Sequence, residues 1–509
     1  MPLVATHDLE PGDKLSRQVY NGLDCCLTFE VLEALRGLQG NADHPIYDFE
    51  RALQAPLLEI MLRGFKVDEY SRREAIQQLE NEIAHYQSIL NEFAAAIWDK
   101  PLNPNSPKQL IEFFYGKMRL PEVWISKKGQ SKLSTDREAL EKLDVYFHAR
   151  PIIACIFAIR DRRKQLGVLR TEVSPVTGRM HTSYNIAGTE SGRLSSSYSA
   201  DGTGTNLQNI TGALRYAFVA DEGKKICGID LEQAESREVG WQCGVLFDDW
   251  SYLDACYAGD LHTLACRLIW PDLAWTGDLK RDRKLADENF YREYSRRDMA
   301  KRGGHGSNYL GTPFTMARHL KVPVKLMEDF QRAYFAAFSG IPKWHRWTAQ
   351  QLQTTQRLVT PFGRERHFFG RARDDATLRE AVAFVPQSST ADRMNLILYR
   401  LWKHFGPRIE LLAQVHDAVY FQFDPRKEDE QELIPEALAL FHIEMTHKGH
   451  SLVVPGEAKI GWNWGSEVTQ ADIDRAKGKK PRLNPDGLKK FKLGTPDTRT
   501  RTSILERSL

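Results

Sequence analysis

The chain reads as an α/β protein of several domains, on three observations. Runs with apolar residues at helical spacing recur through the amino-terminal third. Two short runs, Lys225–Asp230 (KICGID) and Leu411–Asp417 (LLAQVHD, continued by AVYFQF), are rich in β-branched and aromatic residues and read as buried strands. At 509 residues the chain also exceeds one ordinary core and has room for roughly two to four domains.

Taken in order, residues 27–39 (LTFEVLEALRGLQ) and 47–63 (YDFERALQAPLLEIMLR) predict helices, the second closed by Gly64. Asn103–Pro107 (NPNSP) is a turn cluster before the helical run KQLIEFFYGKM. Ser134, Thr135 and Asp136 then offer N-cap choices for the helix REALEKL. A basic helix follows at Arg160–Lys164. The stretch Gly188–Asn209 is Gly, Ser, Thr and Asn with almost nothing to bury, which predicts a loop, and a long loop within a large domain is usually functional or disordered. The region between the two strands is mostly helical and Arg-rich.

Hydrophobic residues at 42% and charged residues at 27% exclude wholesale disorder and a disulfide scaffold. No long apolar run predicts a membrane span, and the first 20 residues lack the apolar stretch of a secretion signal. The seven Cys lack metal-ligand spacing and predict free thiols in a reducing, cytoplasmic setting. Net charge is +3, yet Ile473–Leu509 carries eleven Lys and Arg against four Asp and Glu. Such a basic end is expected to be either a solvated tail or a weak polyanion contact.

An Asp closing a strand is most often a terminator. Two such strands, far apart in sequence, can nonetheless pair and set Asp230 beside Asp417. Adjacent carboxylates repel unless a cation lies between them, and a hard divalent metal fits that place.

The residues around these acids resemble the DNA polymerase I family (family A DNA polymerases), particularly its phage members. DLEQAESRE at 230–238 is similar to motif A, DYSQIELR. RDMAKRGGHGSNYLG at 297–311 is similar to motif B, RxxxKxxxFGxxYG, and QVHDA at 414–418 to motif C, xVHDE. TESGRLSSS followed by NLQNI resembles the family's TGRLSS…PNLQNI loop, DLHT at 260–263 its DIHT segment, and REAVAFVPQSSTAD at 379–392 its RxxxNxxxQGxxAD segment. LRGFKVD, NPNSPKQL and STDREALEKL resemble the approach to the thumb. Each match alone is weak; their order is specific.

The resemblance implies a right-hand polymerase fold with an antiparallel palm sheet and helical fingers and thumb. It implies a primer-extending DNA polymerase in DNA replication, of viral origin, using primer-template DNA, dNTPs and two Mg²⁺ ions. Asp230 and Asp417, with the Leu231 carbonyl, are the implied metal ligands. Gln233, Glu235, His262, Arg297, Lys301, His305 and Tyr309 are implied around the dNTP. Arg297 and Lys301 lie one helical turn apart and, with His262, make three cations for the phosphates. Glu235 holds the place of the steric gate against a ribose 2′-hydroxyl. Arg193, Asn206, Gln208, Arg379, Gln387 and His416 are implied at the DNA, with Arg193 in the minor groove beside the primer terminus.

Within the motifs, His305 stands where the family has Phe or Tyr, Ala418 replaces the motif C Glu, Ala383 replaces Asn and Ser388 replaces Gly. Gly303, Gly304 and Gly306 read as a loop by propensity and as a fingers helix by resemblance, one that glycine loosens for rotation. Tyr20–Asp24 (YNGLD) resembles the third motif of a 3′–5′ exonuclease, YxxxD, while Asp8-Leu9-Glu10 matches its DxE by coincidence. The expected organisation is an exonuclease remnant at 1–43, connecting helix and thumb at 44–175, palm at 176–265 and 385–466, fingers at 266–384 and a basic tail at 467–509. The exonuclease is expected to be lost or carried on a separate polypeptide, and the location to be a bacterial host cytoplasm. A catalytically silent DNA-binding protein is the alternative that Ala418 and His305 leave open. Glu235 disfavours an RNA polymerase.

Overall fold

A computed structural model describes residues 14–39, 45–127, 130–199, 203–291, 294–476, 481–499 and 501. The chain divides into two units, Met1–Ala52 and Leu53–Leu509. In the first, helix α1 (Lys14–Gln39) contains Tyr20 and Asp24, both exposed, well inside the helix and not at its cap. Asp8 and Glu10 lie outside the described residues.

The second unit is built on a five-stranded antiparallel sheet. Its strands are β1 (Lys225–Leu231), β2 (Glu410–Val415), β3 (Ala418–Phe423), β4 (Gly456–Gly461) and β5 (Lys489–Lys490), in the order β2-β3-β1-β4-β5. Alternation along β1 decides its two faces. Cys227 and Ile229 pack with Val419, Phe421, Ala458 and Ile460, while Ile226 packs with Tyr420, Trp464 and Leu488. With both faces covered, β1 reads as a nearly continuous apolar run, and its polar end at Asp230 marks where the cover stops.

Helices α2 (Glu69–Ala95) and α3 (Arg150–Leu169) pack against each other; Leu90, Ala94, Ile152 and Ile156 are buried with Phe113 and Phe114. Asp68 caps α2, and of the three N-cap choices before Arg137–Leu143 the chain uses Asp136. Helices α4 (Ala234–Phe247), α5 (Leu261–Ile269) and α6 (Arg296–Asn308) follow β1, and the 31-residue α7 (Asp375–Phe405) returns toward the sheet. The glycine-rich α6 is helical, started by a reciprocal cap between Ser295 and Asp298. Its glycines serve close packing. A Cβ on Gly303 would lie 2.6 Å from the Phe330 ring, and one on Gly306 would lie 2.6 Å from Met316 Sδ.

The described part of the basic carboxyl-terminal segment packs on the sheet. Lys489–Lys490 extends the sheet, and Leu488 is buried beside Gly228 and Tyr420. Arg499 donates to the carbonyls of Ile460, Pro485 and Gly487 and to the carboxylates of Glu467 and Asp497. Buried Lys225 pairs with Glu430 at 2.8 Å and with Asp497 at 3.7 Å. Among the described residues of this segment, Arg482 pairs with Glu74, Lys490 with Glu457, and Arg499 with Glu467 and Asp497, so part of its positive charge is met within the chain. Among the described residues no helix is long and apolar enough to cross a membrane.

Candidate active site

The sheet brings Asp230 and Asp417 together. Asp230 is the penultimate residue of β1, opposite Ala418 on one side and Glu457 on the other. Asp417 occupies the two-residue turn between β2 and β3, where His416 adopts a left-handed conformation at φ 56°. The Leu231 amide donates to the Asp417 carbonyl at 3.0 Å, fastening that turn to the end of β1. Burial, then the neighbouring Asp417 carboxylate, pushes the Asp230 carboxyl up to about 7; Lys459 opposes the shift and Glu457 adds to it. Two carboxyl groups in hydrogen-bond contact and partly out of water are a site a divalent cation would relieve, so the donor set fits a hard metal. Among the described residues no group of three or more His, Cys, Asp or Glu side chains has metal-binding geometry.

Beside the pair lies a cleft of about 310 Å³ lined by Arg193, Gln208, Glu235, Asn395, His416 and Asp417. Gln233, at φ 54°, turns the chain from β1 into α4 and so brings Glu235 into the first helical turn. Glu235 is held from two sides: Arg193 forms an ion pair with it, and the Tyr309 hydroxyl donates to Oε2 at 2.5 Å. The Tyr309 phenol is accordingly held well above its ordinary value, by burial first and then by Glu235. His305 packs edge-on against Tyr309, with ring centroids 4.9 Å apart, and is itself exposed. Asn206 and Gln208 both lie on the Ser196 hydroxyl, and Gln208 donates to Gln414, which in turn donates to the His416 carbonyl.

A second group forms around Asp260. Its carboxylate accepts the His262 and Thr263 amides at the start of α5 and takes two hydrogen bonds from Arg297, at 2.8 and 3.2 Å. Burial first, then the Arg297 charge with Lys301 adding, pushes the His262 imidazole down to about 4, against the pull of Asp260. His262 is therefore neutral at neutral pH. Of the three groups expected at the phosphates, His262 is the one whose charged form burial disfavours. Lys301 is exposed one turn beyond Arg297.

On α7, Arg379 is exposed and Gln387 half-buried two turns later; neither is among the described residues lining the cleft. Two residues were not singled out from sequence. Asp260 anchors Arg297, and its signal was the Asp-Leu-His-Thr string itself. Glu457 faces Asp230 and pairs with Lys490 at 2.6 Å. Nothing local marks it, because the pairing crosses three strands.

Residues 73–240 and 285–466 match the model of DNA polymerase family A. DNA polymerase I of Chloroflexus aurantiacus is 29% identical over 472 residues, covering 87% of this chain and 46% of the relative. Thermostable DNA polymerase I of Thermus filiformis is 29% identical over 432 residues, covering 81% of this chain and 47% of that one. The chain spans about half the length of the curated relatives it matches. The POL domain of Pol1 from M. smegmatis, solved in complex with DNA primer-template and dNTP, is similar in fold. Its TM-score is 0.65 at 24% identity, over 81% of this chain and 69% of that chain.

Proposed function

The chain belongs to DNA polymerase family A and has its right-hand fold, and on that premise we propose that it is a template-directed DNA polymerase adding dNTPs to a primer 3′-hydroxyl. The observation that carries the reading is the Asp230–Asp417 pair at the end of an antiparallel sheet, beside a cleft containing Glu235. Two Mg²⁺ ions held by Asp230, Asp417 and the Leu231 carbonyl would supply acidity to the 3′-hydroxyl and charge compensation to the triphosphate. Arg297 and Lys301 would bind the phosphates, with Asp260 fixing the guanidinium and His262 offering a neutral hydrogen-bond partner. Glu235, braced by Tyr309, would fill the space of a 2′-hydroxyl, with Gln233 and His305 nearby. Arg193, Asn206, Gln208 and His416 would meet the primer terminus, and Arg379 and Gln387 the template-primer backbone.

In this reading the thumb lies within 44–175, the fingers within 266–384, and the palm within 176–265 and 385–466, with β5 of the following segment as an added strand. A separate exonuclease polypeptide is retained as a partner on the spacing of Tyr20 and Asp24 alone. The viral setting rests on the resemblance to phage members alone; the relatives named above are bacterial.

Primer extension tests the reading: with Mg²⁺ and dNTPs the primer should lengthen against its template, and with NTPs it should not. Failure to extend a primer that is bound would leave a silent DNA-binding protein. Extension with NTPs alone would point to an RNA polymerase.

A further inference from the structure

Arg193 stands on a short loop whose backbone is gripped by one face of α7. Ser388, Asp392 and Asn395 are spaced i, i+4 and i+7, so they form a single stripe. All three are buried. The Ser388 hydroxyl donates to the Ser191 carbonyl at 2.7 Å, and Asn395 Nδ2 donates to the next carbonyl, Gly192, at 3.1 Å. Asp392 holds the Arg364 guanidinium through contacts of 2.8 and 3.0 Å. That guanidinium lies against Gly192, where φ is +73° and a Cβ would come within 2.5 Å of Arg364 Cζ. The residue after this clamp is Arg193, which reaches Glu235.

We propose that Ser388, on this buried stripe, is a positioning residue that aims Arg193 at the primer terminus and so sharpens discrimination against a mispaired 3′ end. The inference rests on the polymerase reading above. Glycine, the residue of the resembled segment, would leave the Ser191 carbonyl without this donor and the loop with one anchor fewer. A fixed loop presents the Arg193 guanidinium in one place, where a correctly shaped pair meets it and a distorted pair does not. The hydroxyl itself touches no substrate; it acts through the backbone of Ser191 and Gly192.

The test is a double-mutant cycle on the full chain, read as kcat/KM for extending a matched primer divided by that for a mismatched one. Ser388→Ala and Ser388→Gly each should lower this ratio about fivefold, the worth of one hydrogen bond. In an Arg193→Ala background, where nothing remains to be aimed, neither should lower it further. Thermal unfolding of each variant separates loss of fold from loss of aim. Unchanged ratios for both Ser388 variants would overturn the proposal, as would an equal loss with and without Arg193, since additivity marks a purely structural contact. A wild-type chain that does not extend primers would overturn the polymerase reading and this inference together. A wild-type chain that extends but shows no coupling overturns this inference alone.

Discussion

Asp417→Asn should make the metal-free chain more stable while abolishing primer extension. The Asp230 carboxyl moves from an ordinary 3.8 to about 7 in the folded chain. At about 1.4 kcal/mol per tenfold change in a proton equilibrium, that displacement is worth roughly 4 kcal/mol. Burial is the largest cause and the Asp417 charge the next, with Lys459 opposing, so the like-charge contribution of Asp417 is on the order of 1–2 kcal/mol. The folded chain keeps this proton where the unfolded chain has lost it, so stability falls as pH rises from about 4 to about 7 and stays lowered above that. Removing the Asp417 charge should therefore restore roughly 1–2 kcal/mol at pH 8 and little at pH 4. Urea unfolding in chelator, followed by tryptophan fluorescence, measures both. Adding Mg²⁺ should stabilise the wild type and leave the variant nearly unmoved, closing the gap. A variant no more stable than wild type at pH 8 in chelator would refute the repulsion argument. Equal Mg²⁺ stabilisation of both chains would refute the ligand assignment.

Glu235→Ala removes the carboxylate held by Tyr309 and Arg193 and should raise rNTP use relative to dNTP by about tenfold or more; an unchanged ratio of kcat/KM values assigns the gate elsewhere. Asp260→Asn keeps an acceptor for the α5 amides but loses the charge on Arg297. It should raise KM for dNTP about tenfold with little loss of fold, whereas Asp260→Ala should also cost about 1 kcal/mol as a lost cap; steady-state kinetics beside thermal melts separates the two. Arg499→Ala strips donors from three carbonyls and two carboxylates and should lower stability by about 2–4 kcal/mol in urea unfolding; no loss would return the basic segment to a solvated tail.

Much of the architecture was legible because it is local. Helical spacing before Gly64, the cap before Arg137 and the apolar runs ending at Asp230 and Asp417 each depend on residues within a turn or a strand of one another. The family was legible for a related reason: ordered strings such as DLEQAESRE and QVHDA keep their chemistry in contiguous residues. Even so, α6 shows the limit of propensity. Its glycines argue for a loop until Phe330 and Met316 take the space that side chains would fill.

The sequence by itself determined the fold class, the family and which residues could carry charge and metal chemistry. The tertiary structure decided how those charges are spent. Arg193 pairs with Glu235 from 42 residues away, and Arg297 is held by Asp260 from 37. Burial and then Arg297 push the His262 imidazole down to about 4, which no count of basic residues reveals. The carboxyl-terminal segment looked like a +7 tail, yet Lys225 meets Asp497 across the sheet and Leu488 fills the hollow at Gly228. The physical reason is the same in each case. Periodicity reports which residues are buried, but a charge is neutralised by whatever lies within a few ångströms, and the packing of elements distant in sequence sets that neighbour.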